Sequence, residues 1–231
     1  MNTVKSRLSL SFIFAILCTV SGLAYGAESL HNAAGKGDME QVRQLFSKGR
    51  NINQKDKDHN TPLHSAVKGG HADVVRYLVE KGAVVNSINR KDATPLHDAA
   101  VKGHNNIAAY LILNEADVSA GNHTGSTPLH IAAINGHADI IRLLLDNKAD
   151  INVQNHEGNT PLHLAAGGGK KAEVNLLISR GADTSLRNNN GETPSDIARS
   201  SIKKIKNIGK QVIFAASEDD YEEVLQLLRM K

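Results

Sequence analysis

Cysteine is nearly absent from this chain, tryptophan is absent, and phenylalanine and tyrosine number four each. A single cysteine, Cys18, cannot close a disulfide within the chain, so a disulfide-stapled fold is excluded. With aromatics at 3% of 231 residues, a core has to be assembled from Leu, Ile, Val and Ala in many small contacts. Neither sign of charge dominates: 27 basic and 24 acidic residues give a net +3. Overall charge therefore points to no class of partner, and any electrostatic preference has to be local. Long apolar runs are lacking everywhere except at the N-terminus.

That exception reads MNTVKSRLSLSFIFAILCTVSGLAYGAES. Lys5 and Arg7 precede an apolar run from Leu8 to Val20, and Ala24-Tyr25-Gly26 places small residues at the −3 and −1 positions of a cleavage site. This is the layout of a secretory signal over residues 1–26. The run is short for a membrane span, which needs roughly 20 residues. An uncleaved anchor is the alternative. Cys18 suggests a lipoprotein, but Leu17 before it is bulkier than such a site favours. Cleavage before Ala27 removes Cys18, and with Lys5 and Arg7 gone the +3 falls to +1. The expectation is an exported protein, periplasmic or secreted, without a thiol and without membrane association once the signal is removed.

Thr-Pro begins at Thr61, Thr94, Thr127, Thr160 and Thr193, always 33 residues apart. The first four continue into Leu63-His64, Leu96-His97, Leu129-His130 and Leu162-His163, whereas the fifth decays to Ser195-Asp196. Leu30-His31 opens the series without its Thr-Pro. A fixed period of this size predicts a solenoid. Thr127 suits an N-cap and Pro128 the first helical turn, where a missing N–H costs nothing. Ala132 and Ala133 allow close packing, and Gly136 ends the helix. Ile140, Ile141, Leu144 and Leu145 then recur at helical spacing, predicting a second helix from His137 to Leu145. One such unit cannot bury its apolar face, but stacked units can.

TPLH, the following Ala-Ala, the Gly-His turn and the Gly-Ala-Asp-x-Asn ending resemble ankyrin repeats, over about residues 28–199. The resemblance implies an all-α repeat solenoid, with helix–loop–helix units joined by β-hairpin loops. It also implies a non-catalytic role in binding other proteins. The units are 28–60, 61–93, 94–126, 127–159 and 160–192, with a degenerate one from 193 and a helical cap over 200–231. Some positions depart from the pattern. His59 and Asp92 replace the hairpin Gly, Glu115 and Lys148 replace the helix-ending Gly, and Asp38 and Lys170 replace the turn His. Near the C-terminus, Ala215-Ala216 to Leu228 mirrors Ala33-Ala34 to Phe46, seventeen residues out of register. It reads as a final helix pair displaced by an irregularity. Ile202, Ile205 and Ile208 within SIKKIKNIGK are expected to pack on the last repeat, with a membrane-surface helix as the alternative.

Eleven histidines invite a metal or acid–base reading. Five of them, His31, His64, His97, His130 and His163, share one repeat position. Copies a helix-pair spacing apart cannot share a zinc ion at about 2.0–2.1 Å, and a ring bonded to loop backbone is expected instead. His71, His104 and His137 recur at the inter-helix turn. Gly167-Gly168-Gly169-Lys170-Lys171 resembles a phosphate loop but lacks its first Gly, its final Ser/Thr and a preceding strand. No catalytic, cofactor or metal site is expected. Asn122-His123-Thr124 is a glycosylation sequon.

The resemblance also implies that a partner meets the hairpin tips and the exposed end of the first helix. By position these are Lys57, Asp58, Asn60, Lys68, Arg90, Lys91, Ala93, Lys102, His123, Thr124, Ser126, Asn135, His156, Glu157 and Asn159, with Lys36 in the matching place of the opening repeat. The early repeats are basic there, which reads either as a groove favouring an acidic protein partner or as a merely solvated face. Nucleic acid is not expected, because basic and aromatic residues are not interleaved. A secreted effector acting on a host protein is a variant of the binding reading, and an enzyme or metal protein using the hairpin histidines is the alternative class.

Overall fold

A computed structural model describes residues 29–208 and 216–229. The expected signal over 1–26, the cleavage point before Ala27, Cys18 and Ala215 lie outside the described residues, as do the side chains of Ile205 and Ile208. Among the described residues there are twelve helices and no strand. They fall into six pairs: α1 Leu30–Lys36 with α2 Met39–Ser47, α3 Pro62–Gly69 with α4 Ala72–Glu80, α5 Pro95–Lys102 with α6 Asn105–Leu113, α7 Pro128–Asn135 with α8 Ala138–Asp146, α9 Pro161–Gly167 with α10 Lys171–Ser179, and α11 Pro194–Ile208 with α12 Glu218–Arg229.

Each first helix packs on the first helix of the next pair, and each second helix on the next second helix, so two helical layers run the length of the stack. The small residues between the layers explain the close approach. Ala33-Ala34, Ala99-Ala100, Ala132-Ala133 and Ala165-Ala166 are all fully buried, as are Leu63 and Leu129. The scarcity of aromatics thus matches a core made of thin, repeated layers rather than one thick centre.

The Thr-Pro-x-His unit works as a paired cap. The backbone N–H of Thr61, Thr94, Thr127 and Thr160 donates to Nδ1 of the histidine three residues on, at 3.1–3.2 Å. The Nε2 of that ring lies 2.9–3.1 Å from a carbonyl of the next repeat: Ala93, Ser126, Asn159 or Glu192. An amide can only donate and a carbonyl can only accept. Each ring is therefore the neutral tautomer with its proton on Nε2. The threonine hydroxyls were expected to accept from early helix amides, but their shorter contact is to the same Nδ1, at 2.8–3.0 Å. In the degenerate repeat, Asp196 takes the place of the ring, and Oδ2 accepts from the Thr193 amide and hydroxyl at 3.1 and 2.8 Å.

The loops between pairs are hairpin turns without strand pairing. His59 N–H donates to the Asp56 carbonyl at 3.0 Å and Asp56 N–H to the Asn60 carbonyl at 2.9 Å. This is a tight turn closed by a residue of positive φ. That residue is His59, Asp92 or one of the glycines in later repeats. The Asx at the turn's start locks it: Asn155 Oδ1, for example, accepts from the amides of Glu157 and Asn159, each at 3.0 Å.

At the end of the stack the repeats were expected to give way to a cap after residue 199. Helix α11 runs through that point to Ile208. The reason is Ile202, which occupies the place where Gly37, Gly70, Gly103, Gly136 and Gly169 leave the helical region at positive φ. A β-branched residue resists that conformation, and its side chain is buried instead. Helix α12 packs on α10 and α11, where a second helix belongs. The second helix of the displaced pair expected from the sequence is thus α12, and most of that pair's first helix lies outside the described residues. Tyr221 hydroxyl donates to the Gly167 carbonyl at 2.9 Å, and Lys171 pairs with Glu223.

Candidate functional site

Successive hairpin tips are joined by one backbone bond each. Arg90 N–H donates to the Asp58 carbonyl at 3.0 Å, His123 to Lys91 at 3.0 Å, His156 to Thr124 at 2.9 Å and Asn189 to Glu157 at 3.0 Å. The tips therefore form a continuous rail beside the first helices, and their side chains reach solvent. Lys57, Asp58, Arg90, Lys91, His123, Thr124, His156 and Glu157 are all exposed there.

Between the rail and the helices α3, α5 and α7 lies a cleft of about 420 Å³. Asp58, Asn60, Lys68, Arg90, Lys91, Ala93, Asp98, Val101 and Ile131 are among its lining residues. Three of the expected basic residues, Lys68, Arg90 and Lys91, thus meet in one place. Lys57 and Lys102 lie outside that lining; Lys57 borders a second, shallower depression with His31 and Asp56.

Four sequence-based expectations are corrected. Ser126 and Asn159 are buried, not presented. Ser126 Oγ accepts from Asn155 at 3.3 Å, and Asn159 Oδ1 accepts from Asn188 at 2.9 Å, both from the following repeat. Lys68 and Lys102 do not share a repeat position. Lys68 corresponds to Val101 and Ile134, whereas Lys102 corresponds to Gly69, Asn135 and Lys36. Finally, the patch is not purely positive. Asp98 lies in its floor, 3.6 Å from Lys68 Nζ, while the short bond of Lys68 goes to Asn60 Oδ1 at 2.8 Å. Lys36, Lys102 and Asn135 are exposed on their helices as expected, and Asn60 is half-buried.

The groups that sequence reasoning passed over are Asp98, Val101, Ile131 and Ile134. Val101 and Ile134 are 44% and 43% exposed although large and apolar. Asp98 is only 9% exposed although charged. Burial pushes its carboxyl up, to about 6, against the pull of Lys68. The signal was a break in the period. Asn32, Ser65, Asp98, Ile131 and Leu164 occupy the same place, so one repeat carries an acid where the next two carry aliphatics.

The four capping histidines serve the fold. Burial lowers His64, to about 4, and also lowers His97, His130 and His163. Among the described residues, no group of three or more His, Cys, Asp and Glu is disposed to hold a metal ion. None of their helices is long and apolar enough to cross a membrane.

Compared with family models, the chain matches one described as ankyrin repeats (3 copies), over residues 30–122, 88–155, 113–188 and 129–231. No curated protein matches it.

Proposed function

This chain belongs to the ankyrin-repeat family, and from that premise we propose that it is a non-catalytic scaffold binding a partner protein along the tip rail and first helices. Ankyrin repeats are generally protein–protein interaction modules. The observation that carries the reading is the cleft beside the rail, where Lys68, Arg90 and Lys91 converge next to exposed Val101. Tips bonded backbone to backbone present these side chains on a rigid support, which limits the entropy lost on binding.

The partner surface is acidic with apolar residues among the acids. Arg90 and Lys91 are the steering charges, because Lys68 is already engaged with Asn60 and Asp98. Reversing Arg90 and Lys91 to Glu lowers the association rate roughly tenfold at low ionic strength, and added salt narrows the difference. Reversing Lys148, exposed on a different part of its repeat, is the matched control and leaves the rate unchanged. Capture from the native compartment with wild-type and Arg90→Glu/Lys91→Glu baits tests the reading. A partner retained equally by both baits would refute it.

The same proposal places the protein outside the cytoplasm, in a periplasm or a secreted fraction. Lys5, Arg7 and the run from Leu8 to Val20 support it. N-terminal sequencing should find Ala27 first, and retention of Met1 would refute export by cleavage.

A further inference from the structure

We propose that Asp98 sets the specificity of this cleft by accepting a hydrogen bond from an extended acidic peptide segment of the partner, whose apolar side chain rests on Val101, Ile131 and Ile134. The inference rests on the binding role above and names the chemistry of the occupant.

The first observation is an unsatisfied atom. Asp98 Oδ2 is buried and has no hydrogen-bond partner. Lys68 Nζ at 3.6 Å is close enough to attract it but too far to bond it. A buried carboxylate oxygen left in this state destabilises a fold. The fold does not require it either, since Ile131 and Leu164 fill the same place in the next two repeats. An acid that costs stability, is replaceable by an aliphatic residue and lines the cleft receives a donor from outside by a small turn of its carboxyl.

The surroundings fix the chemistry of that donor. A partner ammonium or guanidinium would approach Asp98 past Arg90 and Lys91 and beside Lys68, three cations lining the same cleft. They outnumber Asp58, the other acid of the lining, so a cationic donor is disfavoured. The donor is therefore neutral, a backbone N–H or a hydroxyl, and the partner's own charge is negative, to meet Arg90 and Lys91. The apolar ledge supplies the third contact. Val101 and Ile134 stand at one repeat position on adjacent helices α5 and α7, both large, apolar and exposed, with Ile131 half-buried beside them. Neighbouring helices lie about 8–10 Å apart, which three residues of extended chain span at roughly 3.3 Å each. An extended segment thus keeps pace with the repeats, with its backbone amides running past Asp98.

The test uses the full chain and a library of random peptides displayed on phage. Wild-type protein should enrich peptides that combine Glu or Asp with Leu, Ile or Val. Enrichment of basic peptides, or of none, overturns the proposal. Affinities of an enriched peptide are then measured by titration calorimetry. Asp98→Ile should weaken binding about tenfold or more, the scale of one hydrogen bond to a charged group. This variant copies the neighbouring repeat, and an unfolding midpoint at or above wild type shows that it is folded. N-methylating the peptide amides one at a time, and replacing each Ser or Thr by Ala, should reveal one donor whose loss weakens binding to wild type but not to Asp98→Ile. If every donor's loss costs the same on both proteins, Asp98 makes no such bond and the proposal fails. Dependence on Arg90 and Lys91 without dependence on Asp98 would leave the scaffold reading standing and sink only this inference. Loss of dependence on all three would sink both.

Discussion

At the residue scale the histidines of the Thr-Pro-x-His caps act as base-form hydrogen-bonding units. Each Nδ1 must stay unprotonated to accept from its threonine amide. His64 titrates near 4 in the folded chain, against an ordinary 6.5, because burial disfavours the cation. A folded value below the unfolded one means that the unfolded chain binds the proton first. The contribution is thus complete above about pH 6.5 and is lost as pH falls towards 4. For His64 alone this is on the order of 3 kcal/mol, and His97, His130 and His163 shift in the same direction. Asp98 opposes them. Its raised value favours folding below about 3.8 and is progressively lost as pH rises through about 6. With four rings against one carboxyl, urea midpoints should fall steadily between pH 6.5 and 4.5. A flat profile would contradict the assigned tautomers. A second prediction concerns Glu115 and Lys148, which stand at φ 65° and 69° where sister repeats have Gly. The left-handed conformation costs a non-Gly residue roughly 1–2 kcal/mol, and Gly loses about 0.5–1 kcal/mol more entropy on folding. Lys148→Gly should therefore raise stability by about 0.5–1 kcal/mol. A lower denaturant midpoint than wild type would count against it.

At the element scale, the end of each first helix is fitted to the repeat that follows. Gly103 ends α5 at φ 74°, and a Cβ there would stand 2.7 Å from the ring of His137. That ring in turn bonds the Val101 carbonyl at 3.2 Å. Helix termination and repeat docking are thus the same contact. Gly82 has a similar φ of 89°, but nothing lies within 4 Å of its Cβ position. Gly82→Ala should cost about 1 kcal/mol from backbone conformation alone. Gly103→Ala adds overpacking, typically 1–3 kcal/mol more. Equal losses in paired denaturant melts would show that the His137 contact yields without cost. The same logic accounts for α11: with Ile202 in the glycine's place, the helix continues.

At the scale of the whole molecule, contacts run between successive pairs, so a lost end should be felt nearby first. Helix α12 covers α10 and α11. It buries Tyr221, Val224, Leu225 and Leu228 in doing so. A chain ended after Ile208 should show faster amide exchange in α9 to α11, while α1 to α5 keep their protection. Uniform loss of protection along the chain would mean a single cooperative unit rather than a stack with separable ends.

The sequence by itself determined the stack. The 33-residue spacing, the caps, the helix-ending glycines and the structural role of the histidines depend on contacts within one turn of helix or repeated identically from unit to unit. A period exposes both kinds. Tertiary structure decided the cleft. Ser126 and Asn159 look like tip residues, but Asn155 and Asn188 reach them from 29 residues away and bury them. Lys68 and Lys102 look like equivalents, but one repeat position separates them, and only Lys68 lies in the cleft beside Asp98. Asp98 carries no mark in the sequence beyond a break in the period. Its isolation follows from packing between the helices on either side and from Lys68 turning its short bond to Asn60. These are distances across repeats, set by how the layers pack, and periodicity carries no information about the side chains that break it.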